Sequence, residues 1–143
     1  MSLARSIYEI ICLAWENMIR LLLVDDQPGV LAGLKMQLAL EPDFEVVGEA
    51  LDGEQAIVQA RRLHPDVIVM DARMPNMDGI EATEALRRLE PHCCVVILSL
   101  HDDNATRAQA RAAGAVAFVA KHETPSKLFD AIRQAAGLFP EGR

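Results

Sequence analysis

Hydrophobic residues occur along this chain in short continuous runs, and between the runs they recur at every third or fourth position. The runs are rich in Val, Ile and Leu and predict five strands, at residues 20–24, 44–50, 66–70, 94–98 and 115–119. The spaced positions predict five helices, at residues 28–38, 53–63, 80–89, 103–113 and 125–136. Strands and helices therefore alternate, as they do in parallel sheets with helical crossovers.

The composition of the runs predicts how the sheet is covered. A strand that is buried on both faces has an unbroken run of apolar residues. Most of the runs are unbroken, which predicts strands covered on both faces. The run at 44–50 contains two glutamates, which indicates a strand at the edge of the sheet. Right-handed crossovers place helices on both faces of such a sheet. We expect an α/β fold of three layers, with a doubly wound, five-stranded parallel sheet in the middle.

Length, charge and cysteine content exclude several classes of protein. The chain has 143 residues, enough for one domain, and a net charge of −7, which argues against nucleic-acid binding by this chain itself. Its three cysteines, Cys12, Cys93 and Cys94, do not form a disulfide framework and are expected to be buried or half-buried thiols in a reducing cytoplasm. No apolar run is long enough to cross a membrane, so no membrane partner is expected.

Polar side chains directly follow four of the predicted strands. Asp25 and Asp26 follow the first strand, Asp71 the third and Ser99 the fourth, and Lys121 lies just beyond the fifth. Taken singly, the acids could cap a helix or begin a turn, the serine could cap a helix, and the lysine could lie in solvent. In the order 2-1-3-4-5, one of the common orders for doubly wound sheets, the first and third strands are neighbours. The three acids then meet beyond the carboxyl ends of these strands.

Three carboxylates in one pocket repel each other and raise the pKa of at least one of them unless a cation is bound. Hard oxygen ligands suit Mg²⁺ (or Mn²⁺), which keeps several waters and shares phosphate oxygens. A carboxylate beside such a metal can attack phosphorus and form an aspartyl phosphate. Asp71 is the best candidate for this nucleophile, because it ends a central strand and precedes the glycine-ended loop "ARMPNMDG". Asp25 and Asp26 are then the acids on the metal side.

The segments "LLLVDDQ", "VIVMDARMPNMDG", "VVILS" and "GAVAFVAK" occur in this order and resemble the receiver domain of bacterial two-component response regulators. The resemblance covers roughly residues 19–138 and implies a flavodoxin-like sheet in the order 2-1-3-4-5. The segments "EPDFEVVGEALDGEQA" and "LSLHDD" are similar to the NarL/FixJ (LuxR-type) subfamily of transcription regulators.

The resemblance also implies a role for each residue at the strand ends. Asp71 matches the phosphoacceptor, which is also a ligand of the metal. Asp25 and Asp26 match the acidic pair that holds Mg²⁺, with Asp26 as the direct ligand, and the backbone carbonyl of Arg73 matches the third protein ligand. A phosphatase of the haloacid dehalogenase type, an alternative, requires a second acid two residues after the nucleophile, where Arg73 stands.

Three further positions match the residues that bind and report the phosphoryl group. Ser99 matches the hydroxyl that reorients toward it, Lys121 matches the lysine that pairs with it, and Phe118 matches an aromatic switch. Without the resemblance, Phe118 would be interpreted as an ordinary core aromatic. His122 departs from the family pattern, because many receivers have a proline after the lysine.

The resemblance implies a signalling module rather than an enzyme. A sensor histidine kinase is the expected donor, a homodimer is expected on phosphorylation, and DNA is reached only through a C-terminal output domain that this sequence does not contain. A stand-alone receiver and an interaction module that works without phosphate are the alternatives. Residues 1–18 precede the resemblance and form either an amphipathic helix or an expression artefact, and residues 139–143 are interpreted as the start of a linker or a tag remnant.

Overall fold

A computed structural model describes residues 6–10 and 18–137 of the chain. Five strands form one sheet: β1 (Ile19–Val24), β2 (Phe44–Ala50), β3 (Val67–Met70), β4 (Cys94–Ser99) and β5 (Ala117–Ala120). Five helices follow them: α1 (Pro28–Ala39), α2 (Gly53–Leu63), α3 (Gly79–Leu89), α4 (Asn104–Ala113) and α5 (Pro125–Gly137). All pairs of neighbouring strands are parallel, and their order is β2-β1-β3-β4-β5. The predicted α/β fold and strand order are confirmed.

The two faces of the sheet have separate cores because alternate residues of each strand point to opposite sides. On one face, Leu21 and Leu23 of β1 pack with α1 and α5. On the other face, Leu22 and Val24 pack with α2, α3 and α4. The strands β1, β3 and β4 are almost fully buried, whereas β2 is only partly buried at its middle, as expected for an edge strand.

Short local signals set the ends of the helices. Pro28 occupies the first turn of α1, and aspartate side chains cap the three following helices by accepting a backbone N–H: Asp52 for α2, Asp78 for α3 and Asp103 for α4. Gly114 ends α4 with a φ of 111°, a conformation that favours glycine. These signals set where α1, α2, α3 and α4 begin.

Some sequence predictions need correction in detail. The fifth strand begins at Ala117 rather than at residue 115, because Ala115 still donates its N–H to the last turn of α4. Leu89, one of the spaced positions that predicted α3, is 46% exposed at the end of that helix. Among the cysteines, Cys94 is buried and Cys93 is half-buried, and burial raises the pKa of Cys93 to about 12. Cys12 lies outside the described residues.

The terminal segments are only partly described. Residues 7–10 form a helical turn, and the rest of the proposed N-terminal helix, residues 1–5 and 11–17, lies outside the described part of the chain, as do residues 138–143. Within the part that is described, none of the helices has the length and apolarity that a bilayer span requires.

Candidate functional site

The three predicted acids do meet at the carboxyl end of the sheet. Asp25 and Asp26 leave β1, Asp71 leaves β3, and these two strands are paired in the middle of the sheet. One carboxylate oxygen from each residue lies within 4.8 Å of the others. Asp25 and Asp71 are buried, and Asp26 is half-buried. Three hard oxygen donors at this spacing fit a Mg²⁺ ion that keeps part of its water shell.

Asp25 is held in place by two hydrogen bonds. Its Oδ1 accepts the backbone N–H of Gln27 at 2.9 Å, in the loop that leads to α1. Its Oδ2 accepts the Lys121 ammonium group at 2.7 Å. Both oxygens of this buried carboxylate are therefore occupied, whereas Asp26 is open to solvent on one side. This geometry favours Asp26 over Asp25 as the acid that contacts a metal directly.

Lys121 is the cation of the site. Its Nζ lies 3.5 Å from Asp71 Oδ2 and 2.7 Å from Asp25 Oδ2, and its side chain is only 14% exposed. Its backbone N–H donates to the carbonyl of Ser99 at 2.9 Å, which fixes the loop after β5 to the end of β4. The ordinary interpretation of Lys121 as a solvated surface residue is therefore wrong.

The pKa of Asp71 is raised above its ordinary value of 3.8. The largest cause is burial, which disfavours the ionised carboxylate, and Asp25 adds a smaller repulsion. Lys121 opposes both effects by attraction, and the backbone N–H of Arg73 also lowers the pKa. The repulsion among acids that the sequence predicts is present, but desolvation of Asp71 is the larger effect.

The loop from Asp71 to α3 is tied down at several points. A Cβ on Gly79 would lie 1.9 Å from the carbonyl oxygen of Asp71, so only glycine allows α3 to begin this close. The N–H of Gly53 at the start of α2 donates to the carbonyl of Met77 at 2.8 Å. Asn76 has a φ of 70° and donates its amide to both Asp52 and Glu54. The loop is thus fixed by the helices on either side of it.

Arg73 lies two residues after Asp71 in this loop. Its backbone N is 3.5 Å from Asp71 Oδ1, which places its main chain beside the three acids. Its guanidinium reaches in another direction and donates to the hydroxyl of Thr106 in α4 at 3.2 Å. The sequence placed the Arg73 carbonyl and side chain beside the site but did not predict the bond to Thr106.

Ser99 and Phe118 lie on the neighbouring strands β4 and β5. Ser99 is fully buried, and its hydroxyl oxygen accepts the backbone N–H of His101 at 3.0 Å. Phe118 is half-buried, and the Arg107 guanidinium lies over its ring at 4.6 Å from the centroid. Arg107 also donates its Nε–H to Asp102 at 2.6 Å. The sequence did not predict this stack. An arginine at this position of a helix would equally be expected to lie in solvent.

A family model for the response regulator receiver domain matches residues 21–133. The chain belongs to the response regulator receiver family. The match begins in β1 and ends in α5, so it includes all five strands and the residues of the candidate site.

The relatives of this receiver domain include transcriptional regulators. The chain is 37% identical over 121 residues to the transcriptional regulatory protein DegU of Brevibacillus brevis, covering 85% of this chain and 51% of that protein. It is 42% identical over 125 residues to the transcriptional regulatory protein LiaR of Bacillus subtilis, covering 87% of this chain and 59% of that protein. The chain spans about half the length of the curated relatives it matches.

A solved structure has the same fold. The signal receiver domain of the response regulator NarL from Mycobacterium tuberculosis superposes with a TM-score of 0.81 at 35% identity, covering 85% of this chain and 98% of that chain. The resemblance to the NarL/FixJ (LuxR-type) subfamily is confirmed by these relatives.

Proposed function

We propose that this receiver accepts a phosphoryl group on Asp71 and passes the signal on through an altered surface. The observation that carries the proposal is the junction of three carboxylates with one partly buried ammonium group at the end of the sheet. A purely structural site would not need a buried carboxylate whose pKa is raised by that burial. A receiver that works without phosphate would have no use for this set of charges.

Each residue has a defined part in the transfer. An oxygen of Asp71 attacks phosphorus while the bond from phosphorus to the donor breaks, and a phosphohistidine of a sensor kinase is the donor that we propose. Asp26, Asp25 and the Arg73 carbonyl would hold Mg²⁺ (or Mn²⁺), and the bound ion would neutralise charge on the arriving group. Lys121 leaves Asp25 in favour of the new phosphoryl oxygens, because the phosphoryl group brings more negative charge than a carboxylate.

The output begins at Ser99. The hydroxyl of Ser99 turns from the His101 amide toward the phosphoryl group, and the space beneath β5 becomes available to Phe118. An inward turn of Phe118 ends its stacking on Arg107 and repacks the surface of α4, β5 and α5. We propose that this surface forms a homodimer, and that DNA is bound through an output domain in a longer protein, as the names of its relatives suggest. The domain itself turns over no substrate.

Labelling with a small phosphodonor tests the acceptor. With Mg²⁺ and acetyl phosphate, the protein should gain one phosphoryl group that is lost on treatment with base or hydroxylamine. Asp71→Asn should remove the labelling. Asp130→Asn is the matched control, because it makes the same chemical change at an exposed position of α5 outside the proposed site. Labelling of Asp71→Asn at the parental level would exclude Asp71 as the nucleophile.

Association in the presence of beryllofluoride, which mimics the phosphoryl group, tests the output. The parent protein should associate more strongly with beryllofluoride and Mg²⁺ than without them. Ser99→Ala and Phe118→Ala should respond less, although Asp71 is still labelled in both, since a ligand shifts an equilibrium only through its different contacts in the two states. Sedimentation measurements decide this, and an unchanged response in both variants would show that the signal leaves by another surface.

A further inference from the structure

Arg73 joins two parts of the molecule. Its main chain lies beside Asp71, with the backbone N 3.5 Å from Oδ1, and its guanidinium donates to Thr106 Oγ1 at 3.2 Å. Thr106 is fully buried in the first turn of α4. One side chain thus links the loop after the proposed phosphoacceptor to the helix that borders the proposed output surface.

The bond from Arg73 continues into the cap of α4. The Thr106 hydroxyl donates to Asp103 Oδ2 at 3.0 Å, and the Thr106 backbone N–H donates to Asp103 Oδ1 at 2.7 Å. These two bonds from Thr106 are the main reason that the pKa of Asp103 is lowered, and the charge of Arg73 adds to the effect. A chain of hydrogen bonds runs from Arg73 through Thr106 to Asp103, and bonds in such a chain strengthen one another.

The side-chain hydrogen-bond acceptor of the Arg73 guanidinium is a neutral hydroxyl, and its attraction to the Asp103 carboxylate is the smallest of the effects on that carboxylate's pKa. A guanidinium binds anionic oxygens much more strongly than a neutral hydroxyl, and a phosphate can accept two parallel N–H bonds from it. A phosphoryl group on Asp71 would bring nearly two negative charges to within two residues of Arg73. The resting bond to Thr106 is therefore the weaker of the two that the guanidinium can make.

Resting on the proposed function, we propose that Arg73 couples the phosphoryl site to α4 by exchanging partners. In the resting state its guanidinium donates to Thr106 and supports the cap of α4. When Asp71 carries a phosphoryl group, the guanidinium moves to the phosphoryl oxygens, and the Thr106–Asp103 cap loses its support. This route to α4 is separate from Ser99 and Phe118, which lie on β4 and β5.

If Thr106 and the phosphoryl group compete for the Arg73 guanidinium, substitutions of Thr106 and of Arg73 should change beryllofluoride affinity in opposite directions. Thr106→Val removes the resting acceptor and keeps the side-chain shape, so beryllofluoride should bind about twofold to tenfold more tightly in the presence of Mg²⁺. Arg73→Met removes the group that binds the anion, so beryllofluoride should bind about tenfold more weakly. Thr106→Ser keeps the hydroxyl and should bind as the parent does. A purely structural role for the bond would weaken binding in both variants.

Hydrogen exchange in the first turn of α4 reports the released cap. In the parent, beryllofluoride with Mg²⁺ should speed the exchange of the Thr106 and Arg107 amides severalfold, because their acceptors belong to the weakened cap. In Arg73→Met the same amides should exchange fast from the start and should not respond to the anion. Ser99→Ala should keep the response, since it lies on the other route.

Each result has a definite meaning for the coupling. Tighter binding in Thr106→Val, weaker binding in Arg73→Met and an exchange response that depends on Arg73 support it. Weaker binding in Thr106→Val, or an exchange response that survives in Arg73→Met, overturns the coupling. Labelling of Asp71 would still support the proposed function in that case. A parent protein that takes up neither beryllofluoride nor a phosphoryl group overturns the proposed function and the coupling together, because no anion then reaches Arg73.

Discussion

Substitution of Gly79 by alanine should destabilise the protein and displace its proposed nucleophile. A Cβ at this position would lie 1.9 Å from the carbonyl oxygen of Asp71 and 2.9 Å from its carbonyl carbon. Real Cβ atoms come no closer than about 3.0 Å, so the backbone of Asp71 or of α3 has to move by about 1.1 Å. The contact is with main chain, which cannot rotate away as a side chain can.

The expected cost follows from the rigidity of that contact. Overpacking in a closely packed interior costs about 1–3 kcal/mol, and a clash with backbone lies at the upper end of this range or somewhat above it. For a domain of this size, a loss of about 3 kcal/mol lowers the melting temperature by roughly 10 °C. A shift of this size at Asp71 should also slow labelling by acetyl phosphate by about a hundredfold, since a displacement near 1 Å costs about that much in rate.

Gly33 in α1 provides the matched control. A Cβ at Gly33 would have no neighbour within 4 Å, and the residue lies in the middle of an exposed helical face. Gly33→Ala should therefore raise the free energy of unfolding by about 0.5–1 kcal/mol and leave labelling unchanged. Chemical denaturation of both variants, followed by circular dichroism, measures the pair. If Gly79→Ala were as stable as the parent, the close approach of α3 to Asp71 would not be a real constraint.

Mg²⁺ affinity should fall further in Asp26→Asn than in Asp25→Asn, because both oxygens of Asp25 are already bonded within the protein. Calorimetric titration measures both losses, and equal losses would contradict the ranking. The free energy of unfolding at pH 7 without metal should be higher in Asp71→Asn than in the parent. Burial raises the pKa of Asp71 in the folded state, so the fold holds this proton more tightly than the unfolded chain and loses stability as the carboxyl ionises. The stability advantage of Asp71→Asn should shrink as the pH falls through the raised pKa of Asp71 toward 3.8. Thermal melts at several pH values measure this advantage, and one that is the same at every pH would contradict the prediction.

The sheet and the meeting of the acids were predictable because they depend on repeating patterns. Continuous apolar runs and spaced helical positions define the order of elements, and parallel strands bring their carboxyl ends to one edge. Asp25, Asp26 and Asp71 follow from that rule alone. The sequence also placed Lys121 just beyond the fifth strand. It did not predict that Lys121 would bond to Asp25.

The parts that could not be predicted depend on the direction of individual side chains. The Arg73 guanidinium and the Thr106 hydroxyl are 33 positions apart in the sequence. Whether they meet depends on how α4 packs against the loop. The start of β5 was misplaced because Ala115 is apolar and strand-like in composition, yet its N–H completes the end of α4. Leu89 has the right spacing for the core, but it is the last residue of α3 and is 46% exposed.

The bond between Lys121 and Asp25 joins positions that are 96 residues apart. During synthesis on the ribosome the acids emerge long before the lysine, and contacts across so long a loop are among the slowest to form. Until β5 has been made and added to the sheet, the acids of β1 and β3 lack their ammonium partner. The charge balance of the site is therefore complete only when Lys121 has been made and β5 has joined the sheet.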